Sequence, residues 1–231
     1  MNYKNIRSSD LVESQLIQSI LDGEYSPEGT LPPERELASR LGVGRPTLRE
    51  AIQRLQRDGW VTIKKGQPTI VNNYWKKGNL NTLVNIVQNK DKIPEDFIIY
   101  LLELRVVLTP SYVRDAVNRY PAKVVSLLSN IDSLENTSHQ YAAFDWELQK
   151  KLAELSNNPI YLLILNSFDD IYLKMADKYF SIYDYRISSL SFYQKLLSAA
   201  MKTDDVLAEN VTLEAMKKSI ELWKKRLEVV K

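Results

Sequence analysis

Apolar residues recur with helical spacing through most of the chain, and the early part of this pattern is the most specific. Residues 34–41 and 45–58 each predict a helix, and Gly42 and Gly44 between them favour a tight turn. The apolar stripe of the second helix consists of Leu48, Ile52 and Leu55. Two short helices joined by so tight a turn are typical of a helix-turn-helix.

A β-hairpin is predicted directly after the second helix. Residues 60–63 and 69–71 are rich in β-formers, and the turn between them contains Lys64, Lys65 and Gly66. A hairpin in this place is the wing of a winged helix-turn-helix. Residues 1–72 are therefore predicted to form a DNA-binding domain of that type.

The rest of the chain has helical spacing with short interruptions. Residues 73–80 are polar and contain Gly78, which is typical of a linker, but Tyr74 and Trp75 predict that this linker packs between domains. Residues 81–231 predict six or seven helices. The predicted fold is mainly α, with an N-terminal winged helix-turn-helix and an all-α C-terminal helical bundle that serves effector binding and dimerisation.

Charge separates the same two parts of the chain. Residues 35–77 carry ten basic and three acidic side chains, whereas residues 78–231 carry 19 basic and 20 acidic ones. A concentrated basic segment is expected where one domain meets phosphate. The chain has no cysteine, which excludes disulfides and thiolate chemistry. No apolar run approaches the length of a membrane span, so we expect a cytoplasmic protein with no membrane partner.

The start of the second helix is where base-reading side chains belong. Arg45 can pair with guanine O6 and N7, and Pro46 beside it is also predicted to be a DNA-binding residue. Thr47 and Arg49 suit phosphate contacts. Arg35, at the start of the preceding helix, is placed to meet the DNA backbone or the groove edge.

The wing tip adds a second predicted contact with DNA. Lys65 and Gly66 combine a cation with a glycine that permits close approach to the minor groove or a flanking phosphate. The alternative for any single arginine is a surface ion pair, for example Arg49 with Glu50 or Arg54 with Asp58. The conjunction of the helices, the turn and the basic hairpin favours DNA binding.

The segment LPPERELASRLGVGRPTLREAIQRLQRDGWVTIKKGQPTIV resembles the N-terminal domain of GntR-family bacterial repressors over residues 8–72. The resemblance implies that Arg35, Arg45 and Arg49 are the main DNA-contacting arginines and that Thr47 contacts the backbone. It also implies that Lys65 and Gly66 form the wing tip. The chain departs from the related sequences at Gly44, Pro46 and Lys65, which stand where threonine, threonine and histidine occur, so its operator preference is expected to differ.

Polar side chains interrupt the apolar stripes of the second domain. Arg105 lies in an apolar stripe with Leu108 and Tyr112, where an unpaired charge would be costly. Ser219 lies in a second such stripe, and ten of the 13 tyrosines lie from residue 100 onward. Most stripe residues simply build a core. The polar exceptions predict an apolar cavity that binds an amphipathic effector.

A metal site is not expected in the second domain. His139 is the only histidine of the chain. The C-terminal half resembles the all-helical FCD-type ligand domain of the FadR subgroup, many members of which bind a metal through one Asp and three His. Asp145 matches the acid, but Gln149, Tyr193 and Ser219 stand at the histidine positions. Without imidazoles a zinc-type site is not credible, and no cofactor is predicted.

The chain resembles the metal-free, fatty-acid-responsive branch of this subgroup over nearly its full length. The segments that carry the resemblance are DGWVTIKKGQPTIVNNYW, NPIYLLILN and FYQKL. The resemblance implies a homodimer that binds a palindromic operator and releases it when long-chain acyl-CoA enters the C-terminal domain. Met216 and Glu228 stand where a glycine and a lysine occur in related sequences, which puts the CoA contacts in doubt. The residues that match ligand-binding positions are Arg105, Tyr172, Tyr179, Tyr193, Ser219 and Trp223.

Other functions remain open at this point. The main alternative is a GntR-family regulator whose cavity takes a different small organic acid, read by Arg105. An architectural DNA-binding protein without an effector is another. An enzyme has little support, because Asp145 and Glu147 face different sides of a helix and no nucleophile–base pair or phosphate loop is present.

Overall fold

A computed structural model of the chain describes residues 7–89 and 95–230. The chain divides into two compact units, Met1–Ile93 and Pro94–Lys231. Within the described residues, no helix is both long enough and apolar enough to cross a membrane.

The first unit contains the predicted helix-turn-helix and hairpin. Gly23 and Gly42, which follow α1 and α2, have φ values of 81° and 65°, a backbone conformation that favours glycine. The elements are α1 (Ser8–Leu21), α2 (Glu34–Arg40), α3 (Arg45–Arg57), β1 (Val61–Thr62), β2 (Ile70–Val71), α4 (Tyr74–Lys77) and α5 (Leu80–Asn89).

The hairpin is shorter than its β-rich sequence predicts. Its two antiparallel strands pair Val61 with Val71 and Thr62 with Ile70, and Thr30 forms an additional bridge to Ile70. Val61 and Val71 are buried, whereas the run that follows β1 is exposed and holds the wing tip. The ladder therefore ends where apolar burial ends.

Residues 73–80 are more ordered than the linker that the sequence predicts. Residues 74–77 form α4, and the ring centroid of Tyr74 lies 5.0 Å from that of the buried Trp60. The next helix, α5, packs against α1. In compact packing, α4 and α5 thus belong to the first unit, whereas the sequence predicts a second domain over residues 81–231.

The second unit is all helical within the described residues, as predicted. The 25-residue α6 packs along α12 and against α8, and Pro110 lies inside it. Tyr112, Leu152, Tyr193 and Leu196 are among its largest fully buried side chains. The elements are α6 (Glu95–Arg119), α7 (Pro121–Leu128), a 3-10 turn (Ile131–Ser133), α8 (Ser138–Leu155), α9 (Ile160–Asn166), α10 (Asp169–Phe180), α11 (Tyr183–Met201) and α12 (Asp205–Val230).

Tyr161, Leu165, Phe168, Tyr172, Met175 and Tyr179 recur in the sequence at alternating steps of four and three. The sequence spacing predicts one helical face, but the helix breaks between α9 and α10, where Ser167 ends the first helix and Phe168 precedes the second. The apolar spacing continues across the break between α9 and α10 because both helices pack apolar residues against the same core.

Arg54 on α3 ties the recognition helix to α1. Its Nη1 lies 2.5 Å from an Asp10 oxygen and 3.1 Å from a Glu13 oxygen, while Nη2 lies 2.6 Å from Glu50. The alternative pairing of Arg54 with Asp58 is therefore wrong in this structure, since Asp58 pairs with Arg57. The hydrogen bond from Arg54 lowers the pKa of Asp10 below its ordinary 3.8.

We predict that Arg54→Met lowers the melting temperature of the first unit by a few degrees, because three carboxylates lose their shared cation. The lowered pKa of Asp10 means that the contact stabilises the fold above pH 3.8 and is lost as the pH falls further. The difference between variant and wild type should therefore shrink toward pH 3 in circular dichroism melts. Arg40→Met removes an exposed ion pair with Glu36 and should change little; equal melts for both variants would contradict the prediction.

Candidate DNA-binding surface and effector cavity

The N-terminus of α3 is open to solvent. Gly44 precedes the helix in an extended conformation, and no side chain caps the first-turn amides. Arg45 and Pro46 are exposed, and Thr47 is half-buried. Arg45 forms no ion pair with any described residue. A free guanidinium beside uncapped amides is suited to bind a nucleic acid's edge and backbone.

Arg49 lies one turn along α3 and forms an ion pair in this DNA-free structure. Its Nε lies 2.8 Å from Glu34 Oε2, and the two side chains are 62% and 42% exposed. The alternative partner considered from the sequence, Glu50, bonds Arg54 instead. An exposed pair of this kind contributes little stability, so Arg49 can exchange Glu34 for a phosphate at small cost.

The remaining predicted DNA contacts are also on the surface. Arg35 is exposed on α2 and forms no ion pair within the described residues. Lys65 and Gly66 are exposed at the wing tip, and Gly66 has a φ of 75°, which favours glycine. The structure thus places all seven predicted residues on the solvent side of the elements where they were expected.

A cavity of about 130 Å³ lies inside the second unit. Helices α6, α8, α9, α10, α11 and α12 all contribute to its wall, which is mostly aliphatic and aromatic. Five of the six predicted ligand-binding residues line it: Arg105, Tyr172, Tyr179, Ser219 and Trp223.

The sixth residue, Tyr193, lies behind the wall and holds Asp145. Its hydroxyl donates to Asp145 Oδ1 at 2.8 Å, and the Tyr172 hydroxyl donates to Oδ2. Arg105 Nη2 lies 3.6 Å from the same Oδ2, and its guanidinium stands 5.0 Å from the centre of the Tyr172 ring. A buried carboxylate is therefore met by two phenols and one cation.

The environment fixes the protonation of this cluster. Burial opposes the charge of Arg105, yet Tyr172 and Asp145 beside it raise the pKa of the guanidinium. Burial also raises the pKa of Tyr112 to about 12, and those of Tyr172 and Tyr193 well above the ordinary value. At neutral pH the phenols are hydrogen-bond donors and Arg105 is a cation.

Two polar atoms in this region lack partners among the described residues. The Trp223 indole Nε1 is buried without an acceptor, and so is the Nε2 of Gln149, whose Oε1 accepts from Tyr112 at 2.6 Å. Trp223 stacks at 6.5 Å from Tyr179. The Ser219 hydroxyl, in contrast, already donates to the Met216 carbonyl at 2.7 Å.

Several wall residues fall outside the predicted ligand set. Trp146 stacks on Tyr172 at 4.0 Å and donates from its indole nitrogen to Asp169 at 2.6 Å. Asp145 and Tyr112 also line the cavity. In the sequence, Asp145 stands out as a metal position and as a carboxylate neighbour of Glu147, and Tyr112 stands out only as a stripe residue. Nothing in the sequence pattern separated Trp146 from an ordinary core aromatic.

The positions compared with metal ligands carry no cluster of ligating side chains. Within residues 7–89 and 95–230, no group of three or more His, Asp or Glu residues could hold a metal ion. His139 is exposed on α8, and Gln149 and Tyr193 are engaged by Tyr112 and Asp145. The side chain of Glu228 lies outside the described residues.

Two family models match the chain. The model described as bacterial regulatory proteins of the gntR family matches residues 9–71, and the FadR C-terminal domain model matches residues 72–230. This division by sequence falls at 71/72, whereas compact packing divides the chain at 93/94.

Curated relatives match most of the chain. A Shewanella pealeana protein is 41% identical over 194 residues, and one from Shewanella halifaxensis is 42% identical over 194 residues. Each match covers 84% of this chain and 81% of the relative, and both relatives are named fatty acid metabolism regulator protein.

A solved structure shares the fold. It is that of Lar, which controls the expression of the Listeria monocytogenes agr system and mediates virulence. The TM-score is 0.62 at 16% identity, and the match covers 97% of this chain and 99% of that one. With the two family models and the Shewanella relatives, the winged helix-turn-helix and the helical domain place this chain in the FadR family of GntR-type DNA-binding transcription regulators, to which it belongs.

Proposed function

We propose that this protein regulates the transcription of fatty-acid metabolism genes and that long-chain acyl-CoA releases it from its operator. The observation that carries the proposal is the pairing of an exposed, cationic recognition helix with a mostly apolar cavity in a separate unit. The names of the Shewanella relatives support the metabolic assignment. We place the protein in the cytoplasm, with its DNA.

The DNA half of the proposal assigns a role to each surface residue. Arg45 reads a base edge in the major groove, and Arg49 leaves Glu34 to join Thr47 on the backbone. Lys65 approaches the minor groove or a flanking phosphate at the wing. We propose that the protein binds as a homodimer, so that two half-sites one helical turn apart form a palindrome.

The effector half follows from the cavity. A volume of about 130 Å³ is small beside the roughly 300–1,000 Å³ usual for ligand pockets. A long acyl chain therefore binds only a conformation in which the helices around the cavity have separated. Because the ligand stabilises that conformation over the compact one, it shifts the population away from the DNA-binding state. The wall helices α9 and α10 are the shortest in contact with the cavity.

A second candidate effector is a small organic acid. The specific observation in its favour is Arg105, which lines the cavity and donates no hydrogen bond to any described residue, although it neighbours Asp145. A carboxylate would satisfy those donors. Acyl-CoA remains the leading proposal because the wall around Arg105 is mostly apolar and because of the relatives' names.

We predict that Arg45→Ala weakens specific DNA binding by about 1–3 kcal/mol, roughly five- to 150-fold, because a bidentate base contact is lost. The duplex is one selected from a random-sequence pool by the wild-type protein, and affinity is measured by fluorescence anisotropy at fixed salt. Arg119→Ala, a cation of the second unit, is the control and should bind normally. An Arg45→Ala protein with unchanged preference for the selected duplex over a scrambled one would refute the base-reading role.

The wing should behave differently from the recognition helix. We predict that Lys65→Ala weakens binding to selected and scrambled duplexes alike, because a phosphate contact carries no sequence information. The slope of log affinity against log salt concentration should become shallower by about 1. A loss confined to the selected duplex would show instead that Lys65 reads bases.

We predict that oleoyl-CoA binds the protein and releases the selected duplex. Calorimetry gives the binding, and anisotropy gives the release. At 100 times its Kd the ligand adds about 2.7 kcal/mol to stability, which appears as a rise of several degrees in melting temperature. Oleate, coenzyme A and a panel of short carboxylates form the comparison arms. Release by a short carboxylate, with no response to oleoyl-CoA, would establish the organic-acid alternative instead.

A further inference from the structure

The C-terminal end of the recognition helix is buried among polar groups. Asp58, which directly follows α3, is only 1% exposed. Arg57 contacts both of its carboxylate oxygens, at 2.7 and 2.9 Å, and Asn81 of α5 donates to Oδ1 at 3.0 Å. Although burial alone would raise it, these partners hold the pKa of Asp58 below its ordinary value. A charge is therefore kept at this helix end first by Arg57 of α3 and then by Asn81, a residue from outside the helix-turn-helix.

Three successive carbonyls at this helix end are capped from the segment that follows the wing. The Arg57 carbonyl accepts from Asn79 Nδ2 at 3.1 Å, and the Asp58 carbonyl accepts from Thr82 Oγ1 at 2.5 Å. The Gly59 carbonyl accepts from the Asn72 side chain at 3.0 Å. The last carbonyls of a helix have no partner within it, so such capping fixes where and at what angle the helix stops.

The backbones approach so closely that only glycine fits. A Cβ added to Gly59, which has a φ of 82°, would lie 2.1 Å from the Lys77 carbonyl oxygen. A Cβ added to Gly78 would lie 2.5 Å from the Tyr74 carbonyl oxygen and 2.7 Å from Thr82 Oγ1. Gly59 and Gly78 lie on opposite sides of the contact between the end of α3 and the residues before α5. Each lacks the Cβ for which this contact leaves no room.

We infer that Thr82, with Asn79 and Asn81, is a positioning residue for DNA binding: the start of α5 caps α3 and sets the recognition helix at the angle that the groove requires. None of these side chains need touch DNA. The part of the chain that DNA binding requires then extends through α5 instead of ending at the hairpin. This inference rests on the proposed DNA-binding function.

The test compares Thr82→Val with Thr82→Ser in the full chain. Valine keeps the volume but removes the hydroxyl that caps Asp58, whereas serine keeps the hydroxyl. Thr212→Val is the matched control, because Thr212 is fully buried in α12 and its hydroxyl also donates to a carbonyl, that of Ala208, at 2.7 Å. The probe is the duplex selected by the wild-type protein, with a scrambled duplex beside it.

Thr82→Val should bind the selected duplex roughly three- to tenfold more weakly, because it removes both hydrogen bonds of the hydroxyl, the one donated to the Asp58 carbonyl and the one accepted from the Asn79 amide. The salt slope should stay as in the wild type, because no phosphate contact is removed. Thr82→Ser should bind within about twofold of the wild type, and Thr212→Val should bind normally. If the wild-type protein selects no duplex, the proposed function fails. If the wild type binds and Thr82→Val binds equally well, the positioning role is wrong.

A second measurement covers loss of folding. If Thr82→Val no longer unfolds cooperatively, Asn79→Ser replaces it, because the serine oxygen can still cap α5 while the amide that caps Arg57 is gone. Hydrogen exchange of the amides of residues 55–59 should then accelerate together with the loss of operator affinity. Faster exchange with unchanged affinity would overturn the inference, since the cap would be purely structural.

Discussion

The pair of Arg105 and Asp145 inside the helical unit is the constraint on which the cavity depends. A buried carboxylate needs a compensating charge and hydrogen bonds, and here it receives both, from Arg105 and from the hydroxyls of Tyr172 and Tyr193. Those three groups stand on α6, α10 and α11, while Asp145 stands on α8. Four helices are thereby held around one point. The cavity lies directly beside this pair, and both Arg105 and Asp145 line it.

The resemblance to metal-binding relatives gives this arrangement a physical interpretation. In those proteins a metal ion neutralises the acid at the position of Asp145, whereas here the guanidinium of Arg105 supplies the positive charge. Gln149 and Tyr193, at two of the histidine positions, have turned to other partners, Tyr112 and Asp145. The guanidinium of Arg105 also places N–H donors on the wall of the cavity.

The helix-turn-helix was predicted well from the sequence, because the patterns that predict its helices involve only residues close together in the chain. The stripe of Leu48, Ile52 and Leu55 and the glycine before α3 depend only on neighbours in the chain, and all are found where the spacing put them. The structure of residues 73–80 depends instead on contacts with more distant residues such as Trp60 and Thr82. A segment whose composition is typical of a linker therefore forms a short helix and caps the end of α3. The partners of charged groups were predicted wrongly for the same reason. Arg54 bonds α1, 41 and 44 residues away, which no spacing rule reaches.

Buried polar groups are treated differently at the end of α3 and around the cavity, although both units hold buried atoms that lack a partner within residues 7–89 and 95–230, Trp60 Nε1 and Asn73 Oδ1 in the first unit among them. At the end of α3, Asp58 and three carbonyls are satisfied by Asn72, Asn79, Asn81 and Thr82, so that the recognition helix has one defined position. Around the cavity, the indole nitrogen of Trp223 and the amide nitrogen of Gln149 are buried without a partner among the described residues, and Arg105 donates no hydrogen bond to any of those residues. Unsatisfied groups cost free energy in the compact state and lower the barrier to a conformation that a ligand could stabilise. In the function that we propose, DNA recognition requires the one defined helix position at the end of α3, and release requires a cavity wall that a ligand can stabilise in another conformation.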